Sequence, residues 1–289
     1  MSRGGALSYE PKRYWSDLHE RETSRLSAVG YAALGEGFNR VAYRRRLAAA
    51  ERLLLASAVP PNRLLEAAVG VGAYAPLWRK LGVREWVGVD ISEHAIASLR
   101  ERFPDGSFHA LDLASPDESA WAPVCRSSGY DVVTAIDVLY HLPDDVAFAR
   151  ALIHLAGQVR PGGVLVLSDV FVQRPVRLSE HVARRPLGSY EDLLRPMGLS
   201  FSGREPVFAV LSAPVPRSGV RMDAALALLW RIAQKAIRMT PAAARDLVGA
   251  GVAGALSPLD TALCRAGASR GTNLELAAFR RQLAPPRSA

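Results

Sequence analysis

From Arg63 onward, short apolar runs recur between stretches with helical periodicity. Runs that are almost continuously apolar suit strands covered on both faces, and the periodic stretches suit the helices that cover them, so the pattern predicts a parallel sheet. Strands are expected at Arg63–Ala68, Glu85–Val89, Ser107–Ala110, Tyr130–Ile136 and Val164–Ser168. Ser92 suits an N-cap for the helix "EHAIASLRERF", with Glu93 in its first turn. "RPGG", Arg160–Gly163, is expected to end a helix and turn the chain into "VLVLSD".

After Asp169 the rhythm changes. "SYEDLLRPMGL" reads as a helix, "GREPVFAVLSA" as a strand and "TNLELAAFRRQ" as a last strand. The stretch from Pro214 to Arg270 is far longer than a hairpin loop, so it predicts an inserted helical subdomain. Before the first strand, "LAAAERLLLASAV" leads into the sheet as a helix, and the aromatic segment upstream of it suits a lid. The expected organisation is a helical lid over 1–60, a core over 61–213, a helical insertion over 214–270, and a last core strand with its tail over 271–289.

Composition narrows the classes. Of 289 residues 49% are hydrophobic, enough for one large core. Two cysteines, Cys125 and Cys264, are too few for a disulfide framework or a thiolate metal site, so a reducing, cytoplasmic setting is expected. The N-terminus lacks the apolar core of a leader, and Leu247–Leu256 falls short of the ~20 residues a span needs, so no membrane span is expected. The net charge of +8 comes from dispersed arginines whose clusters, Arg44–Arg46, Arg184–Arg185 and Arg280–Arg281, have no interleaved aromatics, so no nucleic-acid surface is expected. Within the insertion, Met222–Met239 sets Ala225, Leu228, Leu229, Ile232 and Ile237 opposite Arg231, Gln234, Lys235 and Arg238. Such a helix suits a substrate roof, a homodimer face or a peripheral membrane contact, and the small residues of "VGAGVAGAL" favour packing and hence the roof.

The stretch "LLEAAVGVGAYAPLW" joins the first strand to its helix through Gly70 and Gly72. Glycines there bring backbone close to a ligand, and the following helix offers unpaired N–H groups. "GVGAYA" matches the dinucleotide fingerprint, but Glu66 places a carboxylate beside the turn. A carboxylate repels a pyrophosphate and attracts an ammonium or sulfonium, so the turn favours a cationic ligand over a dinucleotide. Asp90 ends the second strand, where its carboxylate suits the two hydroxyls of a ribose. Asp112 ends the third strand near the place of an adenine amino group.

The ordered set "EAAVGVG", "VGVDIS", "ALDL", "YDVVTAIDVLYHL" and "RPGGVLVLSD" resembles a class I S-adenosylmethionine-dependent methyltransferase from Arg63 to about Phe171. The resemblance implies an α/β, Rossmann-like, seven-stranded and mostly parallel sheet with helices on both faces, its last strand reversed against "PVFAVLSA". It also implies that Glu66, Ala68, Gly70 and Gly72 surround the methionine end of S-adenosylmethionine. Asp90 would hold the ribose, Ile91 would lie against the adenine, and Asp112 with Leu113 would meet the adenine edge. Asp137 and Val138 would floor the site beneath the sulfonium, and S-adenosylhomocysteine would be the product. Ala68 stands where that family usually has glycine.

Methyl transfer to a hydroxyl needs alignment and a base for the proton. His141 follows the fourth strand at the mouth of the cleft and is the candidate base, with a structural histidine as the plainer role. Tyr140 beside it faces either the acceptor or the core. Asp137 and Asp169 end adjacent strands, yet they do not assemble the oxygen set a hard cation takes, so no metal is expected. Tyr14, Trp15, Tyr31, Asn39 and Tyr43 are the lid residues expected over cofactor and acceptor. The expected activity is methylation of a small-molecule hydroxyl of natural-product or sugar type. Cyclisation or decarboxylation on the same fold, or a non-catalytic cofactor-binding scaffold, are the alternatives.

Overall fold

A computed structural model describes residues 9–21, 25–217, 221–268 and 270–283. The first eight residues, where a leader was sought, lie outside the described residues. Seven strands form one sheet in the order β3-β2-β1-β4-β5-β9-β8. They are β1 (Arg63–Ala67), β2 (Glu85–Asp90), β3 (Ser107–Ala110), β4 (Tyr130–Ala135), β5 (Val159–Asp169), β8 (Leu199–Pro206) and β9 (Glu275–Arg281), and β9 alone runs against its neighbours. A separate hairpin, β6 (Val176–Ser179) with β7 (Val182–Arg184), follows β5 and was not anticipated from the pattern.

Alternation along the strands divides the core in two. Leu64, Val132, Val164 and Val166 face one way, towards α2 (Gly35–Ser57) and α3 (Ala75–Lys80). Leu65, Val133, Leu165 and Leu167 face the other, towards α5 (Asp145–Gln158) and α6 (Leu187–Leu194). Ser92 caps α4 (Glu93–Arg102) by accepting from the Ala95 amide at 3.3 Å. The "RPGG" turn is displaced from its expected place: α5 stops at Gln158 and Arg160–Gly163 run inside the irregular start of β5.

The penultimate strand is also displaced. β8 ends at Pro206, and Val207–Leu211 leave the ladder although all five are buried. The Val207 and Phe208 amides still reach the Leu274 carbonyl at 3.0 and 3.4 Å, and the next three find a different acceptor, because Asp260 Oδ1 takes N–H bonds from Ala209, Val210 and Leu211 at 2.9, 2.7 and 3.1 Å. A buried carboxylate that satisfies three donors removes the need for a partner strand.

Two helices, α7 (Arg221–Arg238) and α8 (Ala242–Arg265), fill the interval between β8 and β9. The buried side of α7 is not the expected one: Asp223, Leu226, Trp230, Ala233 and Ile237 face inward while Leu228 and Ile232 are exposed. Trp230 sets this rotation by packing on Tyr31 and Phe38, with ring centres 5.1 and 6.0 Å apart. Asp223 reinforces it through an ion pair with Arg217 at 3.0 Å. Helix α8 also corrects the reading of membrane length, since its 24 residues are long and apolar enough to cross a bilayer. It lies along α2, where a Cβ on Gly37 would come within 1.8 Å of the Asp246 carbonyl and one on Gly249 within 2.7 Å of the Leu34 carbonyl. These contacts explain the glycines where α8 meets α2, while Leu247 and Leu259 on its other sides stay exposed.

Candidate active site

The carboxyl ends of β1, β2 and β4 open into a cleft of about 1060 Å³, its mouth included, roofed by α1 (Pro11–Arg21). Topology dictates this position, because strand order reverses between β1 and β4 and the connecting loops part there. Of the residues singled out in the sequence, Glu66, Ala68, Gly70, Asp90, Ile91, Asp112, Leu113, Asp137, Val138, Tyr140, His141, Trp15 and Tyr43 all line it.

Gly72 does not. A Cβ there would strike Phe103 and Leu99 at 2.7 and 2.9 Å, so its bareness serves the packing of α4 rather than a ligand. Tyr31 and Asn39 are likewise outside the cleft wall. Asn39 clamps the loop before α2, accepting from the Tyr31 amide at 2.8 Å and donating to the carbonyls of Tyr31 and Gly35 at 3.0 and 2.7 Å. Tyr14 lies outside as well, stacked on His181 with ring centres 5.5 Å apart.

The glycine turn is left-handed at three places, Ala68 (φ 53°), Gly70 (φ 52°) and Gly72 (φ 71°). A side chain at such an angle costs roughly 1–2 kcal/mol, which Ala68 bears where glycine would not. Gly70 donates its amide to Asp90 Oδ2 at 2.9 Å, and Ser92 donates to Oδ1 at 3.0 Å. Each Asp90 oxygen therefore keeps a further lone pair for a hydroxyl, with the carboxylate already oriented.

Glu66 is held by two indoles, Trp78 Nε1 at 2.7 Å and Trp86 Nε1 at 2.9 Å, both on Oε2. Burial pushes its pKa up to about 8 despite these donors, and neighbouring Asp90 pushes the same way. His19 of α1 closes the cleft beside Gly70. It is buried, its Nδ1 has no partner among the described residues, and burial lowers its pKa against the pull of Asp90. S-adenosylmethionine fits this donor set: Asp90 for a diol, Ile91, Leu111 and Leu113 for an aromatic base, Glu66 for a cation, and the unpartnered His19 nitrogen for one more polar group.

At the end of β4 the backbone turns left-handed at Asp137 (φ 59°), whose amide donates to Ser168 Oγ at 2.6 Å. Its carboxylate is bound by Arg46 Nε at 2.7 Å and by the Tyr140 hydroxyl at 3.2 Å. Arg46 lies within 4.9 Å of the Tyr43 ring centre and 4.7 Å of the Phe208 ring centre. Asp169 is fully buried and is taken by Arg184 at 2.8 Å and by the Tyr190 hydroxyl at 2.6 Å. The two carboxylates thus face separate cations, and Arg184 completes the set over the Tyr140 ring at 3.7 Å. In the sequence Arg46 and Arg184 looked like parts of solvated basic runs.

His141 follows in a single 3-10 turn. Its Nδ1 lies 3.1 Å from the His181 carbonyl, an acceptor only, so Nδ1 carries the proton and Nε2 the lone pair. Its ring stacks on His181 at 5.8 Å, meets the edge of Trp15 at 4.9 Å, and its carbonyl accepts from the Tyr9 hydroxyl at 3.3 Å. Burial lowers its pKa to about 4, outweighing the hydrogen bond to His181. His181 sits in the turn of the unanticipated hairpin, which is why it escaped the sequence reading.

A family described as a methyltransferase domain matches residues 40–209, more than half of the chain. Among curated relatives, the ubiquinone biosynthesis O-methyltransferase of Bordetella avium (strain 197N) is 27% identical over 164 residues, 52% of this chain and 64% of that protein. The trans-aconitate 2-methyltransferase of Variovorax paradoxus (strain S110) is 32% identical over 130 residues, 38% and 46% respectively. The chain thus spans less than two thirds of the length of these relatives. Among solved structures, magnesium protoporphyrin IX methyltransferase from Synechocystis PCC 6803 with bound SAH superposes with a TM-score of 0.53 at 15% identity, over 94% of this chain and 98% of that one. The match across β1 to β8, together with the fold and the cleft at its strand ends, makes this chain a member of the S-adenosylmethionine-dependent class I methyltransferases.

Proposed function

We propose that the protein methylates a hydroxyl oxygen of a small molecule, of natural-product or sugar type, with His141 as the base. The observation that carries the reading is the placement of His141: it lines the cleft, and the His181 carbonyl 3.1 Å from Nδ1 holds the ring proton there, while burial lowers its pKa and keeps it neutral. A neutral imidazole on the cleft wall keeps the Nε2 lone pair that a general base needs, and its lowered pKa makes that base a weak one until the acceptor's proton is in flight. Bound S-adenosylmethionine supplies a methyl carbon activated by its sulfonium. His141 Nε2 would take the proton of an acceptor hydroxyl whose oxygen receives that methyl group, leaving S-adenosylhomocysteine as the other product. Tyr140 stays neutral, because burial raises its pKa well above the usual value, and it holds Asp137 in place. The match to an O-methyltransferase of ubiquinone biosynthesis supports oxygen as the acceptor atom.

Trp15, Tyr9 and His19 form the lid over the cleft, whereas the helices of 221–265, expected as a substrate roof, contribute none of the described residues that line it and reach only Tyr31 behind its wall. Cys125, exposed, and Cys264, buried, are not joined in a disulfide, which supports a cytoplasmic setting. His141→Ala is expected to lower kcat by roughly 10²- to 10⁴-fold while the Kd for S-adenosylhomocysteine is unchanged. Unchanged kcat with a hydroxylated acceptor that the parent protein methylates overturns the role.

A further inference from the structure

A second cavity lies apart from the cofactor cleft, between α2, β8 and the C-terminal end of α8, with about 1220 Å³ of open space. Six arginines line it, Arg44, Arg45, Arg52, Arg204, Arg265 and Arg270, and no lysine does. Against them stand two glutamates in the wall and Asp260 behind Arg45, which leaves an excess of three positive charges around one recess. The carboxylates are already engaged. Arg204 binds Glu275 at 2.5 Å and Arg52 binds Glu205 at 2.7 Å. Arg45 binds Asp260 at 2.6 Å and donates to Thr261 Oγ1 at 2.7 Å.

Arg44, Arg265 and Arg270 have no ion pair among the described residues. These three exposed guanidiniums ring a recess whose carboxylates each pair with another arginine, Glu275 also feeling the charge of Arg270, and the remaining excess of like charge favours a bound anion. Guanidiniums present paired N–H donors matched to the oxygens of a phosphoryl group, whereas a lysine-lined site would offer only point charges. The pairs at Arg45, Arg52 and Arg204 fix the walls, so a ligand would find donors already positioned. A recess between a helix and a strand admits a soluble molecule more readily than a flat lipid surface.

We propose that this cavity is a binding site for a phosphorylated small molecule, a phosphate ester or diphosphate, gripped by Arg44, Arg265 and Arg270. The proposal stands independently of the methyl-transfer reading, because none of these residues lines the cofactor cleft.

The test is a calorimetric titration of the full chain with inorganic pyrophosphate. Saturable binding at one site is expected, weakened by roughly tenfold or more in Arg44→Ala/Arg265→Ala, as loss of charge-assisted hydrogen bonds entails. Arg270→Gln, measured alone, is expected to weaken it as well. Arg84→Ala/Arg195→Ala removes two positive charges from exposed positions elsewhere and is expected to leave binding unchanged. Titration of each variant with S-adenosylhomocysteine reports separately on the cofactor cleft. Absence of pyrophosphate binding overturns the proposal. So does an equal loss in the two double variants, which would reduce the effect to net charge, and so does binding to phosphatidic acid vesicles but not to pyrophosphate.

Discussion

Glu66 is a buried acid whose charge awaits a ligand. Two indoles hold Oε2, while Oε1 has no hydrogen-bond partner among the described residues, and the raised pKa of about 8 leaves the group protonated at neutral pH in the ligand-free protein. A cation placed beside it draws the proton off, so cofactor binding and proton release are linked. The affinity for S-adenosylhomocysteine is expected to rise from pH 6 towards 8, by up to about tenfold per unit, and to level off above that. Glu66→Gln is expected to bind more weakly with no such slope, and calorimetry in buffers of different ionisation enthalpy counts the released proton directly. The same shift has the opposite sign for the ligand-free fold. Its contribution is complete below the ordinary carboxylate value and is lost as pH rises through about 8. Glu66 itself was legible in the sequence because it stands at a strand end before glycines. The indoles of Trp78 and Trp86 were not, since nothing in their local pattern separates a hydrogen-bonding tryptophan from a core one.

Single elements follow the sequence where local chemistry decides and depart from it where a distant group intervenes. Strands β1 to β4 and the cap at Ser92 were readable because alternation, burial and capping act within a few residues. The stretch Val207–Leu211 is as apolar as any strand, yet it coils around a carboxylate that the chain supplies about fifty residues later. No window of sequence holds both partners. Likewise, hydrophobic periodicity alone misplaced the buried side of α7, because Trp230 and the Asp223–Arg217 pair outweigh the leucines. Asp260 therefore carries more than its own ion pair. Asp260→Ala is expected to cost roughly 3–5 kcal/mol in denaturant unfolding, since it strands Arg45 and three amides at once. A cost below about 1 kcal/mol would mean that packing alone holds the 207–211 segment.

Over the whole molecule, the cofactor cleft is shared between the sheet and a helix that lies outside it. Tyr9, Pro11, Trp15 and His19 come from the chain around α1, while the floor comes from the ends of β1, β2 and β4. Saturation with S-adenosylhomocysteine is expected to slow amide hydrogen exchange both in 11–21 and in 66–74. Slowing confined to 66–74 would show that α1 does not close on the ligand. The sequence revealed the first five strands of the sheet, its reversed last strand and the cofactor side of the cleft, because these depend on motifs in fixed succession. It did not reveal the cavity lined by Arg44 and Arg270, which the chain assembles from segments more than two hundred residues apart.

The position of β9 has one more consequence. This strand lies inside the sheet, with β5 on one side and β8 on the other, yet it leaves the ribosome after all the other strands. Until it arrives, β5 and β8 both present unpaired edges to whatever else is in the cell. The nascent chain can settle β1 to β4 early, but it cannot close its sheet before translation has passed Arg281, and it is in that interval that the protein most needs a chaperone.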